Sequence, residues 1–455
     1  MHRPVWACHG RTLVERALLL IALCVGLIGI APSAQALPSF ARQTGQQCAA
    51  CHNGFPELTP YGRLFKLNGY TFGGGTSDLP PLAAMTVESF THTQAPQLPG
   101  AATHYGPNNN FAAEFGSIFY GGAIASNLGI GAFAQVTYDH IGQSLAWDNT
   151  DIRWAHTTTI DDAETVFGVS LNNNPTVTDL WNSTPAWGYP FQTSGLAPTP
   201  AAATLIEGGL AGQVIGTDAY AYWNRLVYAE VGGYHTLTQG LDKVVGEAAT
   251  GSSSTDGIAP YWRLAVEPKW GRNSWEVGTF GFRAEMDPGR VTSSGTDNYT
   301  DLGFDTQYQF LTDLHSISVQ ASAIHESQGL NASHAMGNAT NAHEDLNSYH
   351  IKTSYYYDQT YGATIGYFRV DGSSDAGLYS ATSANNSPDS AGWIGEIDYM
   401  PFNRGGPEFW PWMNLKLGAQ YVYYTKFDGG TTNYDGAGHN ANDNNTLYLF
   451  AWLAF

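Results

Sequence analysis

The chain has 455 residues, with 39 Asp and Glu against 19 Lys and Arg, and its formal net charge is −20. A chain with this acidic balance is not drawn to nucleic acid or to anionic lipid surfaces by electrostatics, so neither is an expected partner. After residue 85 no apolar run is long enough to span a bilayer as a helix. The informative features are therefore short motifs and strand periodicity.

Residues 1–36 are predicted to be an export signal peptide. Three arginines precede an apolar run, 17–30, that is shorter than a transmembrane helix. The A-x-A sequence at 34–36 is a cleavage site, which makes Leu37 the predicted first residue of the mature chain. The alternative interpretation is an uncleaved anchor.

The next stretch, 37–80, contains the motif Cys48-Ala49-Ala50-Cys51-His52. The spacing C-x-x-C-H is the attachment sequence of c-type haem, in which two thiols bind one porphyrin and the histidine ligates the iron. We therefore predict one covalent haem c, held by Cys48 and Cys51, with His52 as an iron ligand. This assignment makes 37–80 a monohaem cytochrome c segment.

The same cysteine spacing also occurs in redox dithiols and in half of a zinc site. The two other cysteines, Cys8 and Cys24, fall in the predicted signal peptide, so no second pair remains for an all-cysteine zinc site. No βαβ pattern surrounds the motif, as a thioredoxin-like dithiol would require. Haem attachment is the interpretation that the surroundings favour.

A short helix is predicted after the motif, with Thr59 as the N-cap, Pro60 in the first turn and Gly69 just past the end. Its predicted apolar face, suited to packing against a porphyrin, consists of Tyr61, Leu64 and Phe65. Candidate partners for the haem propionates are Arg42, Arg63 and Lys66. A segment of roughly 45 residues is too small to bury a stable core unaided, so it needs walls from the rest of the chain.

Met85 is the predicted sixth iron ligand, and His92 is the alternative. Met85 is the first methionine after the helix and follows a stiff Pro80-Pro81 pair. A thioether ligand raises the reduction potential relative to two histidines. The competing interpretation of Met85 is an ordinary apolar residue that opens a strand.

Residues 81–455 are predicted to form an outer-membrane, transmembrane antiparallel β-barrel, so the fold class is all-β. Apolar and polar residues alternate at period two, for example over 128–139, 351–357 and 415–423. Strands are expected near residues 85, 110, 128, 149, 163, 210, 225, 259, 273, 298, 314, 346, 360, 391, 412 and 446, about sixteen in total. A soluble sandwich would show similar alternation.

Three features favour the barrel over the sandwich. Long polar connections recur on alternate turns, at 95–109, 242–258, 327–344 and 425–445. The 26 tyrosines and 13 tryptophans suit interfacial girdles. The last strand ends on Phe455, which resembles the assembly signal of bacterial outer-membrane proteins.

A barrel of this size leaves an open channel unless something fills it. The haem segment, mainly helical or irregular, is therefore expected inside the barrel or at its mouth. The stretch 172–190 is too long and too rich in aromatic residues and proline for a simple turn. It is expected either to fold inward against the haem segment or to serve as an outer loop or interface girdle.

The N-terminal stretch resembles the fused monohaem cytochrome–porin family of bacterial outer membranes, whose best-known members are iron(II) oxidases. The resemblance rests on Pro38-Ser39-Phe40-Ala41-Arg42, Thr44-Gly45, Cys48–His52, Pro56, Leu58, Gly62-Arg63, Phe65-Lys66 and Gly69-Tyr70. It implies an oxidoreductase in outer-membrane lipid that passes electrons from an extracellular donor, foremost Fe(II), through one haem to a periplasmic c-type cytochrome or other carrier. Two alternatives are a diffusion porin with a structural haem plug and a conduit to an external electron acceptor.

Overall fold

The structure is a computed structural model that describes residues 38–75, 79–246, 252–406 and 413–455. The predicted signal peptide, 1–36, lies outside these residues. Among the helices described, none combines the length and the apolar character needed to cross a membrane.

One closed sheet of antiparallel strands forms the body of the molecule, and its strand order follows the chain. Sixteen long strands build the wall: β1 (Leu82–Thr93), β2 (Asn110–Ala125), β3 (Ile130–Asp139), β4 (Ser144–Ile160), β5 (Ala163–Asn172), β6 (Val214–Trp223), β7 (Val227–Thr236), β9 (Ala259–Val266), β11 (Asn273–Asp287), β12 (Asp297–Leu311), β13 (His315–Gly329), β14 (His343–Tyr357), β15 (Tyr361–Gly372), β16 (Ser390–Tyr399), β17 (Asn414–Lys426) and β18 (Thr446–Ala454). Two short strands, β8 (Ser254–Thr255) and β10 (Lys269–Trp270), pair at its edges. The barrel closes where β1 pairs with β18. The predicted sixteen-stranded barrel is confirmed.

The described helices are short and lie in the N-terminal segment or in connections. They are α1 (Pro38–Thr44), α2 (Cys48–Cys51), α3 (Pro60–Leu67), α4 (Gln239–Val245), α5 (Asn331–Met336) and α6 (Ala376–Tyr379). Single 3₁₀ turns occur at Ser126–Leu128, Pro185–Trp187, Pro288–Arg290, Thr292–Ser294 and Ala441–Asn444.

The wall is apolar outside and polar inside. Ile118 and Ile397 point outward and are 66% and 64% exposed, whereas Glu230 and Gln307 point inward and are 1% and 2% exposed. This distribution is the reverse of a soluble protein and is typical of a barrel with lipid around it and a polar lumen. The protein is a transmembrane barrel of the bacterial outer membrane, and the soluble-sandwich alternative is wrong.

The two ends of the barrel differ in their connections. The long connections lie at one end of the barrel; their described residues are 94–109, 173–213, 237–246, 252–258, 330–342, 373–389 and 427–445. The opposite end carries shorter turns, such as 161–162 and 312–314, together with the start of β1 and the last residue, Phe455. Long loops of such barrels are extracellular and short turns periplasmic, so we name these the outer and inner ends.

The N-terminal segment, 38–75, enters the lumen at the inner end and acts as a plug. The Ala49 N–H donates to the Asn403 carbonyl at 2.9 Å, and the Gly54 N–H donates to Gln359 Oε1 at 2.8 Å. Both wall residues lie in inner-end turns. The plug is therefore tied to the wall at the periplasmic side of the barrel.

Helix α3 begins and ends where the sequence predicts. The Thr59 hydroxyl accepts the Gly62 N–H at 3.2 Å, and Pro60 occupies the first turn. The helix ends at Leu67, and Gly69 follows with a left-handed φ of 66°.

The long connection 173–213 folds into the lumen above the plug; we call it the inward loop. Its residues Val177 and Trp181 are fully buried. Lys66 Nζ of the plug donates to the carbonyls of Val177 and Asp179, each at 2.7 Å. The predicted inward fold is confirmed: this connection leaves and re-enters the wall at the outer end, but it packs on the plug and is neither an exposed outer loop nor an interface girdle.

Candidate cofactor site

A cavity of about 410 Å³ separates the plug from one side of the barrel. Plug, inward loop and the strands around the β1–β18 closure all contribute to its lining. The four residues that the sequence singles out, Cys48, Cys51, His52 and Met85, all line this cavity. We call it the cofactor cavity.

Helix α2 places the two cysteines three residues apart on a single turn, so that their side chains share one face. The thiols form no disulfide, and both side chains are half-buried. Burial raises the pKa of the Cys51 thiol to about 12, with a smaller contribution from Cys48. The pair has the spacing and the shared orientation that one porphyrin edge requires.

His52 follows directly and is fixed by a backbone hydrogen bond. Its Nδ1 lies 2.9 Å from the Pro56 carbonyl oxygen, which can only accept, so Nδ1 carries the proton and Nε2 has the lone pair. Burial lowers the pKa of His52 to about 4, against an opposing effect of backbone hydrogen bonds. The neutral ring with a free Nε2 is the form that ligates iron.

Gly62 allows α3 to pack closely on α2. A Cβ atom at this position would stand 2.2 Å from the Cys51 carbonyl oxygen. Any side chain would push the two helices apart. This contact explains the glycine at position 62.

Met85 is an inward-facing residue of β1, and the indole N–H of Trp452 on β18 donates to its sulfur. His92 does not line the cavity. Its ring instead lies 2.9 Å from Asn109 Oδ1 in an exposed contact towards the outer end. Of the two candidate distal ligands, Met85 is the one that shares a cavity with His52.

Aromatic rings form most of the apolar lining. Ring centroids lie 4.9 Å apart for Phe40 and Phe65, and 5.7 Å apart for Phe133 and Trp187. Wall residues that add to this lining are Phe115, Phe119 and Trp452. No local sequence signal marks these wall positions, because the period-two pattern of a strand does not show which strands face the plug.

The predicted apolar face of α3 divides between two surroundings. Phe65 lines the cofactor cavity, whereas Leu64 packs on a cluster that contains Trp181. Tyr61 is 37% exposed. The prediction that all three residues form one cofactor face is therefore wrong. Only Phe65 of the three lines the cavity, and aromatic residues of the barrel wall complete the lining.

The three basic residues predicted to pair with the haem propionates have different surroundings. Arg63 donates to Glu267 Oε1 at 2.5 Å and to Gln307 Oε1 at 2.8 Å, so its guanidinium is engaged with the wall. Arg42 donates to the Leu82 carbonyl at 2.7 Å. Lys66 is the one of the three that lines the cavity.

Comparisons with known proteins add little to this picture. No family model and no curated protein matches the chain. Solved structures that match include OmpT of Vibrio cholerae (10% identity, 82% of this chain and 96% of that chain, TM-score 0.42), the outer membrane channel DcaP of Acinetobacter baumannii (12%, 82% and 96%, 0.43) and OmpF of Salmonella typhi with daunomycin (10%, 82% and 97%, 0.43). The case for the site rests on its own geometry.

Proposed function

We propose that this porin-like barrel transfers electrons through one covalently bound haem c. The donor is extracellular, foremost Fe(II), and the acceptor is a periplasmic c-type cytochrome or another carrier. The observation that carries the proposal is the convergence of Cys48, Cys51, His52 and Met85 on one cavity.

The residues of the cavity fit such a cofactor. Cys48 and Cys51 would hold the porphyrin, and His52 Nε2 and the Met85 sulfur are the candidate iron ligands. When bound, the haem supplies one-electron redox chemistry at a potential that its axial ligands tune. The aromatic lining gives the cavity a largely apolar wall, and the Trp452 N–H orients the Met85 thioether.

The inner end of the cavity supports a periplasmic acceptor. Gln46 and Gln47 line the cavity and are exposed at the inner end, next to the turn that contains Asn403. A carrier that approaches from the periplasm therefore meets the edge of the cofactor cavity directly. The outer side is instead covered by the inward loop.

A second candidate is a diffusion porin in which the plug is only structural. It is favoured by a barrel of sixteen long strands with a polar inner face, which is the size of solute-conducting porins. The plug and the inward loop occupy part of that lumen. A conduit to an external acceptor would use the same cofactor cavity in the opposite direction.

The first experiment is anaerobic stopped-flow spectroscopy of the purified, oxidised protein mixed with Fe(II). Growth of the reduced haem α-band at a rate that rises with Fe(II) concentration is the expected result. Reduction by dithionite but not by Fe(II), from acid to neutral pH, contradicts Fe(II) oxidation. Solute flux into proteoliposomes without turnover of any electron donor supports the diffusion porin.

A further inference from the structure

A second cavity of about 240 Å³ lies on the outer side of the plug, between the inward loop and strands β13–β16. We call it the outer cavity. Four residues of the inward loop, Asn182, Pro185, Gly188 and Pro190, line both cavities. The two spaces are thus separated by a single thickness of chain.

The outer cavity is lined by polar oxygens that are short of donors. Thr184 and Gln320 are 0% and 4% exposed. Thr184 Oγ1, Gln320 Oε1 and the Tyr189 hydroxyl have no hydrogen-bond partner among the described residues. Buried polar atoms in proteins are almost always paired, so these three oxygens are positions at which water, or a species that carries water, can form hydrogen bonds.

The charge of the outer cavity favours a cation. Burial would raise the pKa of Glu207, but contacts with His350 and Ser348 lower it below its ordinary value, so this carboxylate is ionised. Lys352 also lines the cavity, but its ammonium is held by Glu57 Oε2 at 2.6 Å.

A cation in this cavity would keep its water shell. Within the described part of the chain, no three His, Cys, Asp or Glu side chains are arranged to hold a metal ion directly. The volume has room for about eight water molecules at about 30 Å³ each, enough for a six-coordinate hydrated ion. The water protons of such an ion would satisfy the orphaned oxygens.

We propose that the outer cavity binds a hydrated divalent cation, with Glu207 as its charge partner, and that Fe(II) binds in this cavity before it gives up an electron. The second half of this statement rests on the proposed function. Tyr189 lines the outer cavity and Phe191 the cofactor cavity, with ring centroids 5.6 Å apart. An aquo-Fe(II) ion held here would become Fe(III) by giving one electron to the ferric haem of the proposed function, with no change in its bonds to protein.

The test uses Mn²⁺, a divalent ion whose free concentration is read by electron paramagnetic resonance, with the detergent-purified holoprotein. Glu207→Gln should weaken Mn²⁺ binding at least about tenfold, because it removes the charged acceptor. The control Asp435→Asn removes the same charge from an exposed outer loop and should change the affinity less than about twofold. Thr184→Val, nearly isosteric, should weaken binding about threefold and gives a second answer if Glu207→Gln does not fold.

Equal Mn²⁺ affinity in wild type and Glu207→Gln, or equal losses in Glu207→Gln and Asp435→Asn, overturns the site. The Fe(II) arm of the same design separates the two proposals. If Mn²⁺ binding depends on Glu207 but Fe(II) never reduces the haem, the cation site stands and the proposed function fails. If Fe(II) reduces the haem with the same half-saturating concentration in wild type and Glu207→Gln, the proposed function stands and the assignment of this cavity as the Fe(II) site is wrong.

Discussion

The lumen wall around the plug has two unlike faces. Near the barrel closure, β1, β2, β3 and β18 present an aromatic face that borders the cofactor cavity, with Phe115, Phe133 and Trp452. Across the lumen, β11–β14 and their inner-end turns present a charged face, with Glu267 and Lys352. The plug is held by the charged face and shows its cysteine motif to the aromatic one.

The difference matches two separate tasks: the aromatic face would surround the proposed haem, and the charged face holds the plug. A bound macrocycle needs apolar walls without fixed hydrogen bonds, and rings supply these over a large area. A plug of this size has little core of its own, so directional contacts must fix its place. The pairs Arg63–Glu267 and Glu57–Lys352, with N–O distances of 2.5 and 2.6 Å, are buried and therefore set position more than they add stability.

The largest expected effect is the loss of the haem that the aromatic face is proposed to surround. Changing Cys48 and Cys51 together to serine should abolish covalent haem completely, since no thiol remains to bond the porphyrin. Haem staining of the denatured protein on a gel measures this. Met336→Ala, in an outer-end helix, should keep full staining. Staining that survives the double change would contradict the assignment of the cofactor.

Next in size is the loss of the candidate distal ligand. Met85→Ala should lower the reduction potential by tenths of a volt, because a thioether ligand raises it. Optical redox titration of the purified protein gives the potential. Met336→Ala is again the matched control, and equal potentials in the two variants would exclude Met85 as a ligand.

The charged face is tested by Arg63→Met. Removing Arg63 deletes a buried ion pair to Glu267, which keeps Lys269 as a partner at 3.2 Å, so anchoring of the plug should weaken by about 1–3 kcal/mol. Faster amide hydrogen exchange in α3 measures that loss. Arg225→Met breaks an exposed pair with Glu164 and should cost less than about 1 kcal/mol. If the two variants exchange alike, the plug is not anchored by this face.

The smallest effect concerns outer loops that continue from the strands of the charged face. Burial alone would raise the pKa of Asp375, but N–H groups of Thr340, Asn341 and Leu378 lower it from 3.8 to about 2. A lowered pKa stabilises the folded state above about pH 4, and this contribution, about 1 kcal/mol after screening, is lost as the pH falls towards 2.

Hydrogen exchange in loops 330–342 and 373–389 between pH 5 and pH 2 measures that change. In Asp375→Asn the two loops should exchange faster than in wild type at pH 5, and their protection should not fall further as the pH is lowered to 2. A pH response that survives Asp375→Asn would assign the effect to another group.

Much of the fold is readable from the sequence because each barrel strand carries its own period-two pattern and ends in turn residues. The cysteine motif and α3 are local for the same reason, and so were predicted to the residue. Trp452 was missed because it meets Met85 across 367 positions of sequence. The prediction that Arg63 pairs with a haem propionate fails because its partner, Glu267, lies 204 positions away in the sequence, and nothing near Arg63 indicates that pair.

The contact between Trp452 and Met85 crosses the seam where the first strand meets the last. In the register of this pair Val87 lies opposite Trp452, so the contact exists only once the final strand has docked on the first. The environment of the Met85 sulfur thus depends on complete assembly of the barrel. If the Met85 sulfur binds the haem iron, the optical absorption that arises from this bond reports whether the barrel has assembled. It can be recorded before any assay of transport or turnover.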